Sequence, residues 1–165
     1  MKRSWYTLAA CCLLATYPSG ARADGQLIRF GTMFGVDGPF LGNANPVREL
    51  DGGGLPWVVD QAEGRLSADG KLEVLVTGLI IPDSIGFGFN PAPFFRVAVS
   101  CLSVDGDGLV SVVNVLTDNG AEVMIGDPED GNARFNTSVD LPTPCVAPIV
   151  FVTSPGGAWF AATGR

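Results

Sequence analysis

The run Asn132-Ala133-Arg134-Phe135-Asn136-Thr137-Ser138-Val139-Asp140-Leu141 decides the fold class. Ala133, Phe135, Thr137, Val139 and Leu141 share one parity, and Asn132, Arg134, Asn136, Ser138 and Asp140 share the other. Successive side chains of a strand point to opposite faces, so this alternation predicts a strand with one dry face and one wet face. Residues 94–102 read the same way, with Phe95, Val97, Val99 and Cys101 on the apolar side and Arg96 and Ser100 opposite. That parity places Cys101 in the core. Within 71–81, Leu72, Val74 and Val76 alternate with Lys71, Glu73 and Thr77, while Leu75 and Leu79 add apolar surface to the outer side. Residues 109–117 and 146–153 are Val-rich and apolar on both parities, which predicts central strands covered on each side.

Between these runs stand turn formers: Ala68-Asp69-Gly70, Asp105-Gly106-Asp107-Gly108, Asp118-Asn119-Gly120, residues 127–131 and Pro155-Gly156-Gly157. Asp-Gly and Asn-Gly steps tolerate the positive φ that tight hairpins require. No window carries helical periodicity and no internal repeat is present. The expected fold is therefore all-β, an antiparallel β-sandwich of immunoglobulin-like or jelly-roll-like type with about eight strands.

The 165 residues include 10 Lys+Arg, 17 Asp+Glu and no His, for a formal charge of −7, with 47% hydrophobic residues, 22 Gly and 12 Pro. A chain this apolar buries enough surface to fold, and its length suits one domain. Without His, Ser-His-Asp and Cys-His catalysis and His-ligated zinc are excluded. The acidic balance excludes nucleic acid as a partner, because phosphate recognition needs a basic surface.

Lys2 and Arg3, an uncharged apolar run over 5–16, and Ala21-Arg22-Ala23 form the pattern of a secretory signal peptide cleaved after residue 23. The competing reading is a lipobox at Leu8-Ala9-Ala10-Cys11, whose apolar run is short for that role. Cleavage at residue 23 leaves a single domain over 24–165, with seven basic against 17 acidic residues, a net −10. The expected location is secreted or extracellular, or periplasmic where the source has an outer membrane, with no transmembrane segment. Cys101 and Cys145 alone remain of the four cysteines. An oxidising compartment predicts a disulfide between them, with two buried free thiols as the alternative.

Two stretches lack strand patterning. Residues 31–56 form a Gly-rich irregular segment with Gly52-Gly53-Gly54, and residues 82–93 contain Gly86-Phe87-Gly88-Phe89-Asn90-Pro91-Ala92-Pro93. Long loops within a compact domain carry function or disorder, which makes both candidates for a site. Phe87, Phe89 and Phe94, with Trp57, offer an aromatic platform for a sugar face, a lipid or a partner protein; the alternative is that these rings cap the core. Asp105, Asp107, Asp127, Glu129 and Asp130 supply hard oxygen ligands suited to calcium, the sole cofactor suggested, although neither cluster has EF-hand spacing and Asp-Gly turns need the same residues. Glu73 and Glu122, within expected strands, are the pair a small glycan hydrolase would use. Asn136-Thr137-Ser138 is an N-glycosylation triplet on the wet parity. Gly52-Gly53-Gly54 leads into Leu55-Pro56 rather than a Lys and a helix start, so it is not a phosphate loop.

The stretch Glu63-Gly64-Arg65-Leu66 through Asp69-Gly70-Lys71-Leu72 to Thr77-Gly78-Leu79 is loosely similar to a cadence of secreted β-sandwich modules such as the CHRD family. It spans fewer than twenty residues, the histidines usual in that family are absent, and no functional residue is carried over. The leading expectation is a secreted binding or structural module of unknown ligand at or outside the cell envelope, with enzyme activity the minority reading and a protein or glycan surface one candidate partner. The alternatives are a glycan-acting hydrolase and a calcium-stabilised structural domain.

Overall fold

Ten strands build two stacked antiparallel sheets in a computed structural model that describes residues 25–118 and 122–164. They are β1 (Gln26–Phe30), β2 (Phe34–Gly35), β3 (Gln61–Ser67), β4 (Lys71–Thr77), β5 (Arg96–Val104), β6 (Val110–Leu116), β7 (Glu122–Met124), β8 (Ala133–Ser138), β9 (Val146–Thr153) and β10 (Trp159–Ala162). One sheet has the order β1-β3-β4-β8-β7 and the other β2-β10-β9-β5-β6, five strands each. The all-β sandwich read from the alternation is the fold, and the strands beyond the expected eight include β2 and β7, of two and three residues. The expected signal peptide, residues 1–23, and its lipobox alternative lie outside the described residues.

The decisive run behaves as its parity requires: Ala133, Phe135 and Val139 are buried, and Arg134, Asn136 and Ser138 are exposed. Leu72, Val74 and Val76 bury from the neighbouring β4. Phe30, Gly64, Val74 and Phe135 stand in one row across the first sheet. Gly64 makes room in that row, since a Cβ there would lie 2.5 Å from the Phe30 ring.

Two expectations about coverage change. Residues 94–102 alternate, yet Ala98 and Ser100 on the polar parity of β5 are as completely buried as Val97, Val99 and Cys101. Conversely β6, apolar on both parities, is an edge strand, with Val110 63% exposed. β6 is exposed because no described strand pairs beyond it, whereas the burial of Ala98 and Ser100 comes from the Gly-rich segment 31–56, which folds over the outer face of the second sheet. Leu41, Val47 and Leu50 pack onto the core from it, and Phe40 meets Trp159, which in turn meets Phe151. Asn114 of β6 donates to the Arg48 carbonyl at 2.8 Å, and the Arg48 guanidinium donates to the Ala147 carbonyl at 3.2 Å.

At the tip of this cover, Val47 and Leu50 exchange both backbone hydrogen bonds at 3.0 Å around Arg48 and Glu49, whose φ values are 53° and 65°. Two central residues at positive φ are the geometry of a type I′ turn, which favours Asn-Gly. The left-handed region costs a residue with a Cβ about 1–2 kcal/mol, partly offset in glycine by its greater freedom when unfolded. Glu49→Gly, at an exposed side chain, is therefore expected to stabilise the fold by about 0.5–1 kcal/mol. A melting temperature that fails to rise would show that Glu49 makes a compensating contact.

Cys101 of β5 is bonded to Cys145, which directly precedes β9, across a sequence separation of 44. Because β5 and β9 are paired neighbours, the bond lies along one sheet. The loop it closes contains β6 of the same sheet and β7 and β8 of the other.

Candidate functional site

The outer face of the second sheet is covered over β5 and β9 but opens at β10 and β2 into a groove of about 560 Å³. Phe34, Asp37, Pro39, Phe40, Trp159 and Ala162 are among its lining residues. Local chemistry fixes its rim. Asp37 Oδ1 accepts from Gly38 N at 2.7 Å and caps the 3-10 helix Gly38–Phe40, and Asn45 Nδ2 donates to the Pro39 carbonyl at 2.7 Å. Gly52 lies so close beneath this turn that a Cβ would sit 1.9 Å from the Phe40 carbonyl oxygen. The result is two aromatic walls on constrained backbone: Phe34 is 59% and Phe40 43% exposed, whereas Trp159 is buried with its ring centroid 6.4 Å from that of Phe40. Ala162 and Gly164 leave the groove without bulky side chains at that end.

A second apolar feature is the loop 82–93. Its backbone folds onto Ile81, which accepts from Gly88 N and donates to the Phe89 carbonyl at 3.0 and 3.2 Å. Buried Asn90 pins the far end: its Nδ2 donates to the Ala92 and Pro128 carbonyls, and its Oδ1 accepts from Ala92 N. Phe87 and Phe89 stand out with ring centroids 5.7 Å apart, beside exposed Ile85.

The other two expected platform residues are placed elsewhere. Phe94 is half-buried. Trp57 is a correction: it is buried, stacked on Phe160 at 3.8 Å and edge-on to Phe95 at 6.3 Å. It caps the space between the sheets and presents no platform. A large aromatic after a Pro in an irregular stretch carries no parity, so its burial is illegible in the sequence.

The acidic turns have backbone partners. Asp105 Oδ1 accepts from Asp107 N at 3.0 Å and Leu109 N at 2.9 Å, closing the β5–β6 hairpin. Asp127 Oδ1 accepts from Glu129 N at 3.0 Å and caps the 3-10 helix Pro128–Asp130, which includes Glu129 and Asp130. Among the described residues no three His, Cys, Asp or Glu side chains group to hold a metal ion. Asp105→Ala is expected to cost about 1 kcal/mol, the typical value of a side-chain cap, and Asp107→Ala close to nothing. Calcium is expected to leave both melting temperatures unmoved, and a calcium-dependent rise would restore the ion site.

Glu73 lies on the outer face of the first sheet, 2.6 Å from the Arg65 guanidinium, in a shallow charged depression of about 360 Å³ that Arg29, Glu63 and Arg134 also line. On β8 the register opposes Glu73 to Asn136 and Glu122 to Phe135, positions of opposite parity. At the hairpin beside them, the hydrogen bond from the Lys71 ammonium holds the exposed Asp69 carboxyl below its ordinary range. Asn136 is exposed on β8.

The chain matches no family model, no curated protein and no solved structure. The stretch similar to CHRD modules is the β3–β4 hairpin, and its cadence is that of a paired strand, turn and strand. No helix among the described residues is long and apolar enough to cross a membrane.

The segment 31–56, a site candidate by its irregular composition, supplies one side of the groove, but neither its individual residues nor Trp159 stand out in the sequence. Asp37-Gly38-Pro39 signals a capped turn, but Trp159 joins Phe40 through contacts spanning most of the chain: Trp159 N donates to Asp51 O at 2.9 Å, and Gly53 N donates to Trp159 O at 2.8 Å.

Proposed function

We propose that this chain is a non-catalytic binding module acting at or outside the cell envelope, with its ligand seated between Phe34 and Phe40. The observation that carries the reading is the pair of exposed aromatic rings held on constrained backbone around a concave, mainly apolar groove. Small-ligand sites are concave and mostly apolar, and fixed rings present contact area without a large ordering cost. The ligand class that suits it is a saccharide, whose rings carry an apolar face, with the Asp37 carboxylate at the rim for a hydroxyl. A disulfide and the lack of a membrane-crossing helix among the described residues are compatible with an exported, non-membrane protein.

The test incubates protein beginning at residue 24 with insoluble polysaccharides and cell-envelope fractions, following its depletion and the release of soluble sugar. Phe34→Ser with Phe40→Ser is expected to abolish depletion while lowering the melting temperature less than truncation of a core ring such as Phe95, because Phe34 is 59% and Phe40 43% exposed. Sugar release would overturn the reading in favour of turnover. The Phe87–Phe89 ridge supports a second reading, contact with a protein surface; there, Phe87→Ser with Phe89→Ser removes depletion by envelope fractions and leaves polysaccharide binding intact.

A further inference from the structure

The four sheet edges are unequally guarded. β2 and β7 are short, and β1 carries Arg29 and an irregular register between Gln26 and Ile28. β6 has seven residues, Val-Ser-Val-Val-Asn-Val-Leu, with no charge, proline or glycine, and pairs only with β5 among the described strands. Exposed Val104, Leu109 and Val110 lie at its start. An edge that is neither short, charged nor bulged is a template for another strand.

Charge decides which strand. The exposed carboxylates Asp105 and Asp107 stand at the hairpin before β6, and exposed Asp118 stands just after it. Antiparallel pairing with a second copy would set the hairpin acids of one chain beside Asp118 of the other, and parallel pairing would set like ends together. Both bring acid to acid in a chain already at −7, and like charges directly opposed across strands are unfavourable. An extended segment with an apolar alternating centre and a basic residue at each end satisfies the edge and both acidic ends.

We propose that β6 is a strand-addition site for such a segment of a partner protein. Main-chain hydrogen bonds along the edge supply affinity, and the flanking acids select basic-ended strands. This site is distinct from the groove and does not depend on it.

The probe is a capped peptide, Lys-Thr-Val-Thr-Val-Thr-Val-Thr-Lys, compared with the same peptide ending in Glu. The Lys-ended peptide is expected to bind about tenfold more tightly at low ionic strength, from two exposed charge contacts. At about 0.5 M salt, where screening is short-ranged, the difference should vanish. Amide exchange should slow across 110–116. Asp107→Lys with Asp118→Lys should reverse the preference, and the salt series on the unaltered protein separates the same outcomes should that variant fold poorly. Equal affinity for the two peptides, no binding of either, protection at 26–30 instead, or self-association that competes with the peptide would each overturn the proposal.

Discussion

Alanine at position 57 is expected to lower the stability of the fold by about 3–5 kcal/mol, the range for deleting a large buried aromatic. The Trp57 ring is 4% exposed, lies 3.8 Å from the Phe160 ring at an interplanar angle of 18°, and meets Phe95 edge-on. Truncation would strip contacts from both Phe rings and leave a cavity that the paired backbones of the two sheets hold open. Trp57→Phe should recover part of the loss. Thermal unfolding followed by near-ultraviolet circular dichroism measures it, with Trp159 as the remaining indole after residue 24. A variant that keeps its melting temperature and loses a ligand would return Trp57 to the surface role its sequence context suggested.

Removing the disulfide is the second large effect. A loop of 44 residues restricts the unfolded chain by about 4 kcal/mol on the chain-entropy account. Cys101→Ala with Cys145→Ala is therefore expected to lower the melting temperature by roughly 10–20 °C for a domain of this size. Alanine is the suitable replacement because Cys101 is fully buried and a serine hydroxyl there would need a partner. A shift of only a few degrees would mean that the reduced chain retains the loop by its own packing, chiefly the pairing of β5 with β9 and β6.

The residues readable from sequence are those whose fate is set by their immediate neighbours. Phe135, Val74 and Cys101 lie in strands, where a period of two settles which face each takes, and all three are buried as that period requires. Ser100 shows the limit: its parity is right, but the wet face is not wet, because residues 41–50 fold back over it. The same long-range return explains the misplacement of β6 as a central strand, since apolar composition on both parities reports apolar neighbours without saying whether a strand or a loop supplies them. Phe34 and Phe40 carry no signal of their own for a related reason. Each is an ordinary aromatic in a Gly-rich stretch, and only the arrival of Trp159 from the far end of the chain makes a groove of them. The acidic turns are legible as turns, since Asp105 and Asp127 each spend an oxygen on backbone N–H groups two residues ahead.

The covalent loop between Cys101 and Cys145 also governs how the domain would respond to tension. It threads β6 through one sheet and β7 and β8 through the other, with β8 paired to β4. A pull on the two ends of the chain runs through β1 to β4, residues 96–101 of β5, β9 and β10, but its covalent path bypasses the 44-residue loop, whose contents carry no load once the pairing of β8 with β4 is broken. Full extension would thus fall short by roughly 150 Å at about 3.5 Å per residue. Within the unloaded loop, Leu102–Val104 of β5 would stay beside Val110–Val112 of β6 as a short tethered hairpin, from which the remaining strands could re-form when the force is released.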